Sequence, residues 1–287
     1  MEDIFDIQDE VVRTIVATVA GRLEVAGAEY AKHQPPESLL AYDYVLRGIE
    51  QLSLEGEEHN IEAFRLFQKA VELDPQYAIG HANLALAIFV QWSTTRSPGE
   101  LERALPVARR ALMLDESDSR CHRVLGNIYL HLRQYDLAEL HSDKSVALNS
   151  NDPLNALNRA GVLRYVGRAE EGVTFARKAM QINPYHPNWY WNHLALTLHA
   201  AGRYAEALAA YAKIAQRPIF YGHPYHAYVA ACHAELGQLE EAGAHVALTL
   251  QTMPHFSVRD CRKRLPFKNE ADLQHFLDGL RKAGLPE

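Results

Sequence analysis

The chain has 287 residues, with 29 Lys and Arg against 36 Asp and Glu, a net charge of −7 and 48% hydrophobic residues. That composition is ordinary for a folded chain of one large domain or two smaller ones, and excludes a disordered acidic tail or a low-complexity fibre. The acidic excess argues against a general nucleic-acid binder, and no apolar run approaches the length of about eighteen residues that a membrane helix needs.

No basic stretch with an apolar core and a small-residue cleavage site opens the chain, so no secretory leader is read. Cys121, Cys232 and Cys261 are scattered, with no C-x-x-C. That excludes a disulfide framework and a zinc ribbon, and a reducing cytoplasm is the expected compartment.

Residues 3–31 place Ile4, Ile7, Val11, Ile15, Val19 and Leu23 on one helical stripe, which Pro35 and Pro36 end. Residues 1–37 are therefore expected to form an N-terminal helix and a proline-containing linker. Three arrangements of that helix fit: a cap on the convex edge, occlusion of the groove, or pairing with a second copy as a homodimer.

From residue 38 the chain repeats itself. Small residues recur at Ala63, Ala104, Ala138, Gly172, Ala207 and Ala242, in steps of 41, 34, 34, 35 and 35. A second series, Gly48, Ala85, Gly126, Ala160, Ala195 and Ala230, steps by 37, 41, 34, 35 and 35. Two helices approach closely only where side chains are small, so one small residue on each helix of a pair accounts for both series. Gly167, Gly202 and Gly237 fall between the paired patterns, where a helix end favours positive φ. Six units are expected over 38–254. The longer 41-residue step puts about seven extra residues into Trp92–Gly99, read as an elongated turn. The remainder, 255–287, carries a basic run from Arg259 to Lys268 and a helical pattern from Glu270 to Ala283, and is expected to cap the last unit.

The phrases Trp191-x2-Leu194-Ala195-x2-Leu198 followed by Ala207-x3-Tyr211, and Ala63-x3-Phe67-x2-Ala70-x4-Pro75, resemble the tetratricopeptide repeat. The resemblance implies an all-α, right-handed superhelical solenoid of about six helix-turn-helix units with N- and C-terminal capping helices. Asp3-Ile4-Phe5-Asp6-Ile7-Gln8-Asp9-Glu10-Val11, Tyr44-Val45-Leu46-Arg47-Gly48 and Leu277-Asp278-Gly279-Leu280-Arg281-Lys282-Ala283-Gly284-Leu285 resemble the C-terminal repeat region of bacterial adenylate/guanylate cyclase-type signalling proteins. That resemblance implies a further domain upstream of Met1 and carries no catalytic residue into this chain. A winged-helix transcriptional regulator is an alternative parent.

No phosphate loop, G-x-G-x-x-G, G-x-S-x-G or H-E-x-x-H is present. No catalytic residue, metal or cofactor is therefore assigned. His81, His122 and His226 occupy equivalent places where the repeat wants a bulky packing residue, so packing outweighs metal binding. The basic run is read as a solvated face of the cap.

First helices of stacked pairs line the concave face, which suits extended or helical peptides. Its apolar first third is read as Tyr42, Val45, Ile49, Ile79, Ala82 and Leu86. Partner-binding candidates follow at Arg120, Arg123, Asn127, Asn158, Arg164, Trp189, Asn192, His193 and Tyr228. Arginines beside asparagine amides suit a carboxylate, and a Trp beside small residues suits an anchor side chain. Arg123, Asn127 and Asn158 resemble part of the carboxylate clamp of chaperone-binding repeat proteins, although the next unit supplies Trp189 and His193 in place of cations. The expected function is protein or peptide binding by a regulatory region, with no nucleic acid and no membrane segment. A sensory region holding a small anion through Arg123, Arg164 and His193 is the alternative.

Overall fold

The computed structural model describes residues 39–54, 56–214 and 224–287. The helix expected over 3–31, with its three arrangements, lies outside them. Among the described residues there are fourteen helices and no strand. Six pairs stack in order: α1 (Leu39–Ser53) with α2 (Glu57–Leu73), α3 (Ala78–Thr95) with α4 (Glu100–Leu114), and α5 (Ser119–His131) with α6 (Tyr135–Leu148). Then follow α7 (Pro153–Tyr165) with α8 (Ala169–Ile182), α9 (Trp189–Ala200) with α10 (Tyr204–Ile214), and α11 (Tyr225–Glu235) with α12 (Leu239–Thr252). Two helices, α13 (Val258–Arg264) and α14 (Glu270–Lys282), close the chain.

The small-residue series explains the pairing. Ala63, Ala104, Ala138, Ala207 and Ala242 on the second helices, and Ala85, Ala160, Ala195 and Ala230 on the first, are all at 0% exposure. Each sits where two helix surfaces meet and a larger side chain would hold them apart. Phe67, Leu125, Leu163 and Tyr211 fill the flanks and are buried with them. Asp118 and Asp152 cap α5 and α7 by accepting from the Arg120 and Leu154 amides, each at 2.8 Å.

The first helices α1, α3, α5, α7 and α9 pack side by side as one inner layer. Val45 and Ala82, expected on the open face, are core residues at 2% and 1% exposure; Leu46 faces out instead, at 48%.

The extra residues, which lie within the second unit, do not form an elongated turn. Trp92–Thr95 continue α3, and the chain reverses only at Arg96 (φ 55°) and Gly99 (φ 82°). Packing accounts for this. The added turn sets Trp92 against Phe89 at 5.8 Å and His131 at 5.0 Å, and the Arg96 guanidinium lies 4.2 Å over the Trp92 ring.

The last helices run back over the C-terminal ends of the first helices. The Lys268 amide donates to Tyr165 O at 2.8 Å, and Tyr135 Oη donates to Phe267 O at 2.9 Å. Phe276 stacks on His199 at 4.3 Å and meets Tyr228 edge-on at 5.4 Å. Gly167 permits this approach in two ways. Its φ is 86°, and a Cβ there would lie 2.6 Å from Asn269 Nδ2. Leu277, Leu280 and Leu285, from the phrase that resembles the cyclase-type C-terminus, are buried within this docked segment. Among the described residues, no helix is long and apolar enough to cross a membrane.

Candidate functional site

The inner layer has two edges, because each first helix contributes residues from both of its ends. The N-terminal ends carry Arg120, Arg123, Trp189, Asn192 and His193. The C-terminal ends carry His131, Arg164 and His199, and the docked C-terminal segment lies across them.

On the first edge the expected cations are engaged within the chain. Arg120 Nη2 lies 2.6 Å from the Asp118 carboxylate that caps its own helix. Arg123 is 8% exposed, and its Nη1 pairs with Asp152 at 2.9 Å. Asn158 Nδ2 donates to Asn127 Oδ1 at 2.6 Å, which joins the two amides across the unit boundary and leaves Asn158 Oδ1 buried without a partner. Arg123, Asn127 and Asn158 are therefore tied into the stack and are not an open clamp. Trp189 is half-buried, with its ring 4.5 Å from Tyr190 and 5.6 Å from His193. Asn192 and His193 lie beside it, also half-buried. Tyr228 is 4% exposed beneath Phe276, because the docked segment covers it.

Among the described residues, the large exposed apolar side chains of the first helices lie on α1, while others, such as Met113, Tyr185 and Leu239, stand elsewhere on the surface. Tyr42, Leu46 and Ile49 project from one face of α1 at 37, 48 and 44% exposure. A separate groove of about 400 Å³ between α2, α3 and α4 is lined by Phe64, Ile88 and Gln91 and rimmed by Arg65, Glu100 and Arg103.

On the second edge, Arg164 is 7% exposed and lies 4.4 Å over the Tyr165 ring, with Nε and Nη1 buried and unpartnered. Arg264, read as part of a solvated basic run, instead turns inward over Phe256 at 5.6 Å. Its neighbours in that run behave otherwise: Arg262 pairs with Glu270 at 2.7 Å and Lys268 with Asp136 at 3.4 Å. Burial and then the charges of Arg96, Arg164 and Arg133 push His131 down to about 3. Burial and then Arg264 push Arg96 below its usual range. Arg96, His131, Arg133 and Arg264 were not signalled by repeat register. A helix lengthened by one turn and a segment folded back from the C-terminus bring them together.

The histidines pack as expected from the repeat. His122 meets His141 Nδ1 to Nδ1 at 2.8 Å, and His226 meets His245 in the same way at 2.9 Å. Among the described residues no group of three or more His, Cys, Asp or Glu is gathered for a metal. All three cysteines are buried and free, and burial raises their thiol pKa values, Cys261 to about 12. That disfavours the reactive thiolate form.

No family model matches the chain. It is 32% identical over 142 residues to "Putative adenylate cyclase 3" of Rhizobium meliloti, covering 48% of this chain and 24% of that protein. It is 32% identical over 88 residues to "Small glutamine-rich tetratricopeptide repeat-containing protein 2" of Mycosarcoma maydis, covering 31% of this chain and 25% of that one. The chain thus spans about a quarter of the length of these relatives. Among solved structures, it matches a chain of the APC/C Cut9–Hcn1 hetero-tetramer with a TM-score of 0.60 at 19% identity, covering 75% of this chain and 41% of that one. It matches Pseudomonas aeruginosa pilF with a TM-score of 0.52 at 17% identity, covering 76% of this chain and 93% of that one. The likeness is one of fold: the chain is an all-α tetratricopeptide-repeat solenoid.

Proposed function

We propose that this chain is the non-catalytic, regulatory interaction region of a bacterial signalling protein of the cyclase type. It would hold a protein segment, from a partner or from the parent's own catalytic domain, against the inner face of its N-terminal units. The observation that carries this reading is the exposed apolar stripe Tyr42, Leu46 and Ile49 on α1, in register with the inner face. Side chains of that kind, spaced by four and three residues, match the apolar face of an amphipathic helix. Trp189, Asn192, His193 and Arg120, near the N-terminal ends of later first helices, would extend that surface. Similarity to a relative named as an adenylate cyclase supports the cyclase-type parent. Three free cysteines support a cytoplasmic location.

The test uses Leu46→Asp combined with Ile49→Asp, both at exposed positions, with circular dichroism to establish that the fold is kept. Capture of a specific partner by the wild type, lost in the variant, supports the reading. A partner retained equally by the variant rejects this face. If no partner is found, and a linked cyclase domain turns over equally with wild-type and variant repeats, the interaction reading fails.

A further inference from the structure

We propose that the C-terminal edge of the inner layer, walled by the docked C-terminal segment, is a binding site for a small phosphate or carboxylate anion, held by Arg96, Arg164 and Arg264. This site is separate from the apolar face of the first unit and does not depend on it.

The geometry gathers guanidinium groups from four distant places. Arg96 lies over Trp92, whose ring contacts His131. Arg164 lies over Tyr165, whose ring meets Phe267 at 4.9 Å. Arg133 Nη2 reaches Leu265 O at 3.4 Å, next to Arg264. The positive charges bear on one another and on shared neighbours. Arg264 acts on Arg96, both act on Tyr228, and Arg96, Arg133 and Arg164 all act on His131. Among the described residues, none of Arg96, Arg164 and Arg264 forms a salt bridge; Arg164 is buried, and the half-buried Arg96 donates through Nε to Ser93 O at 3.1 Å. Elsewhere the buried arginines form ion pairs: Arg123 pairs with Asp152, and Arg159 with Asp143 at 2.8 Å.

Uncompensated positive charge in a desolvated space is costly, and a buried guanidinium normally has a carboxylate or a set of acceptors around it. Arg164 instead leaves Nε and Nη1 buried without acceptors. Tyr211 Oη, which feels the Arg164 charge, is buried without a partner as well. In a chain of net charge −7, like charges converging without a carboxylate form a local exception. A planar fork of donors matches the oxygens of a phosphate or carboxylate, and a neighbouring tyrosine hydroxyl supplies a neutral donor. The hydrogen bonds that Lys268, Tyr135 and Arg133 make tie the docked segment to the repeats along this edge. An extended peptide would have to break them, which is why the ligand is small.

Titration calorimetry on the full chain, with sodium phosphate and separately with sodium succinate at ionic strength matched by sodium chloride, tests the proposal. Saturable binding of at least one of these anions is expected. Arg164→Gln and Arg264→Gln should each weaken it roughly tenfold or more, as loss of a charge-assisted contact implies. Arg103→Gln, an exposed position on α4, should leave it unchanged. If Arg164→Gln does not fold, the half-buried Arg264 carries the comparison. Absence of saturable binding by either anion, or affinities unchanged by Arg264→Gln, overturns the proposal.

Discussion

The Asp152 carboxylate serves two helices at once: it caps α7 through the Leu154 amide at 2.8 Å and receives Arg123 Nη1 of α5 at 2.9 Å. One side chain thus begins a helix and ties consecutive units together. Arg123→Glu would place a second carboxylate against it in a largely buried position. A loss of about 3 kcal/mol in unfolding free energy is expected, measurable by urea denaturation. An unchanged midpoint would show that the pair contributes nothing.

Phe276 is 4% exposed between His199 and Tyr228. Phe276→Ala should cost about 3 kcal/mol by leaving a cavity and losing ring contacts. The docked segment should then loosen first, so limited proteolysis should cut within 256–287 before the repeats are cleaved. Cleavage in the repeats first would mean that the segment is held mainly by its hydrogen bonds.

Gly167 and Gly202 occupy equivalent turns, with φ of 86° and 72°. A Cβ at Gly202 meets open space, whereas one at Gly167 meets Asn269. Alanine at either position should cost about 1 kcal/mol from backbone strain. At Gly167 an additional loss is expected as Asn269 is displaced. Equal shifts in melting temperature for the two variants would remove the docking contribution.

The paired histidines give stability a pH dependence. Within each pair one ring donates to the other, so a second proton breaks the bond. Burial, followed by the charge of His122 for His141 and of His226 for His245, holds these two down to about 4. Lys144 adds to the effect at His141, and His233, stacked at 5.5 Å, at His245. Unfolded histidine titrates near about 6.5, so between the two values the unfolded chain binds more protons. The contribution is complete above about 6.5 and is lost as pH falls towards about 4. Melting temperature should fall across that window, with a shallower slope in His141→Asn; an unaltered slope would assign the dependence to other groups.

The sequence alone determined the helix pairs, their number and their order. That information is local and periodic: a small residue must sit wherever two helices touch, so the spacing of Ala138, Gly172, Ala207 and Ala242 records the stacking directly. It also indicated that histidines would pack within the repeats. Register did not show which inner-face residues stay open, because that depends on pairing between units and on the end of the chain. Arg123 looked free until Asp152 of the following unit was placed beside it, and Tyr228 until Phe276 covered it. The convergence of Arg96, Arg164 and Arg264 belongs wholly to tertiary structure. A solenoid repeat specifies contacts between neighbours, whereas a segment returning across several units brings together residues with no periodic relation.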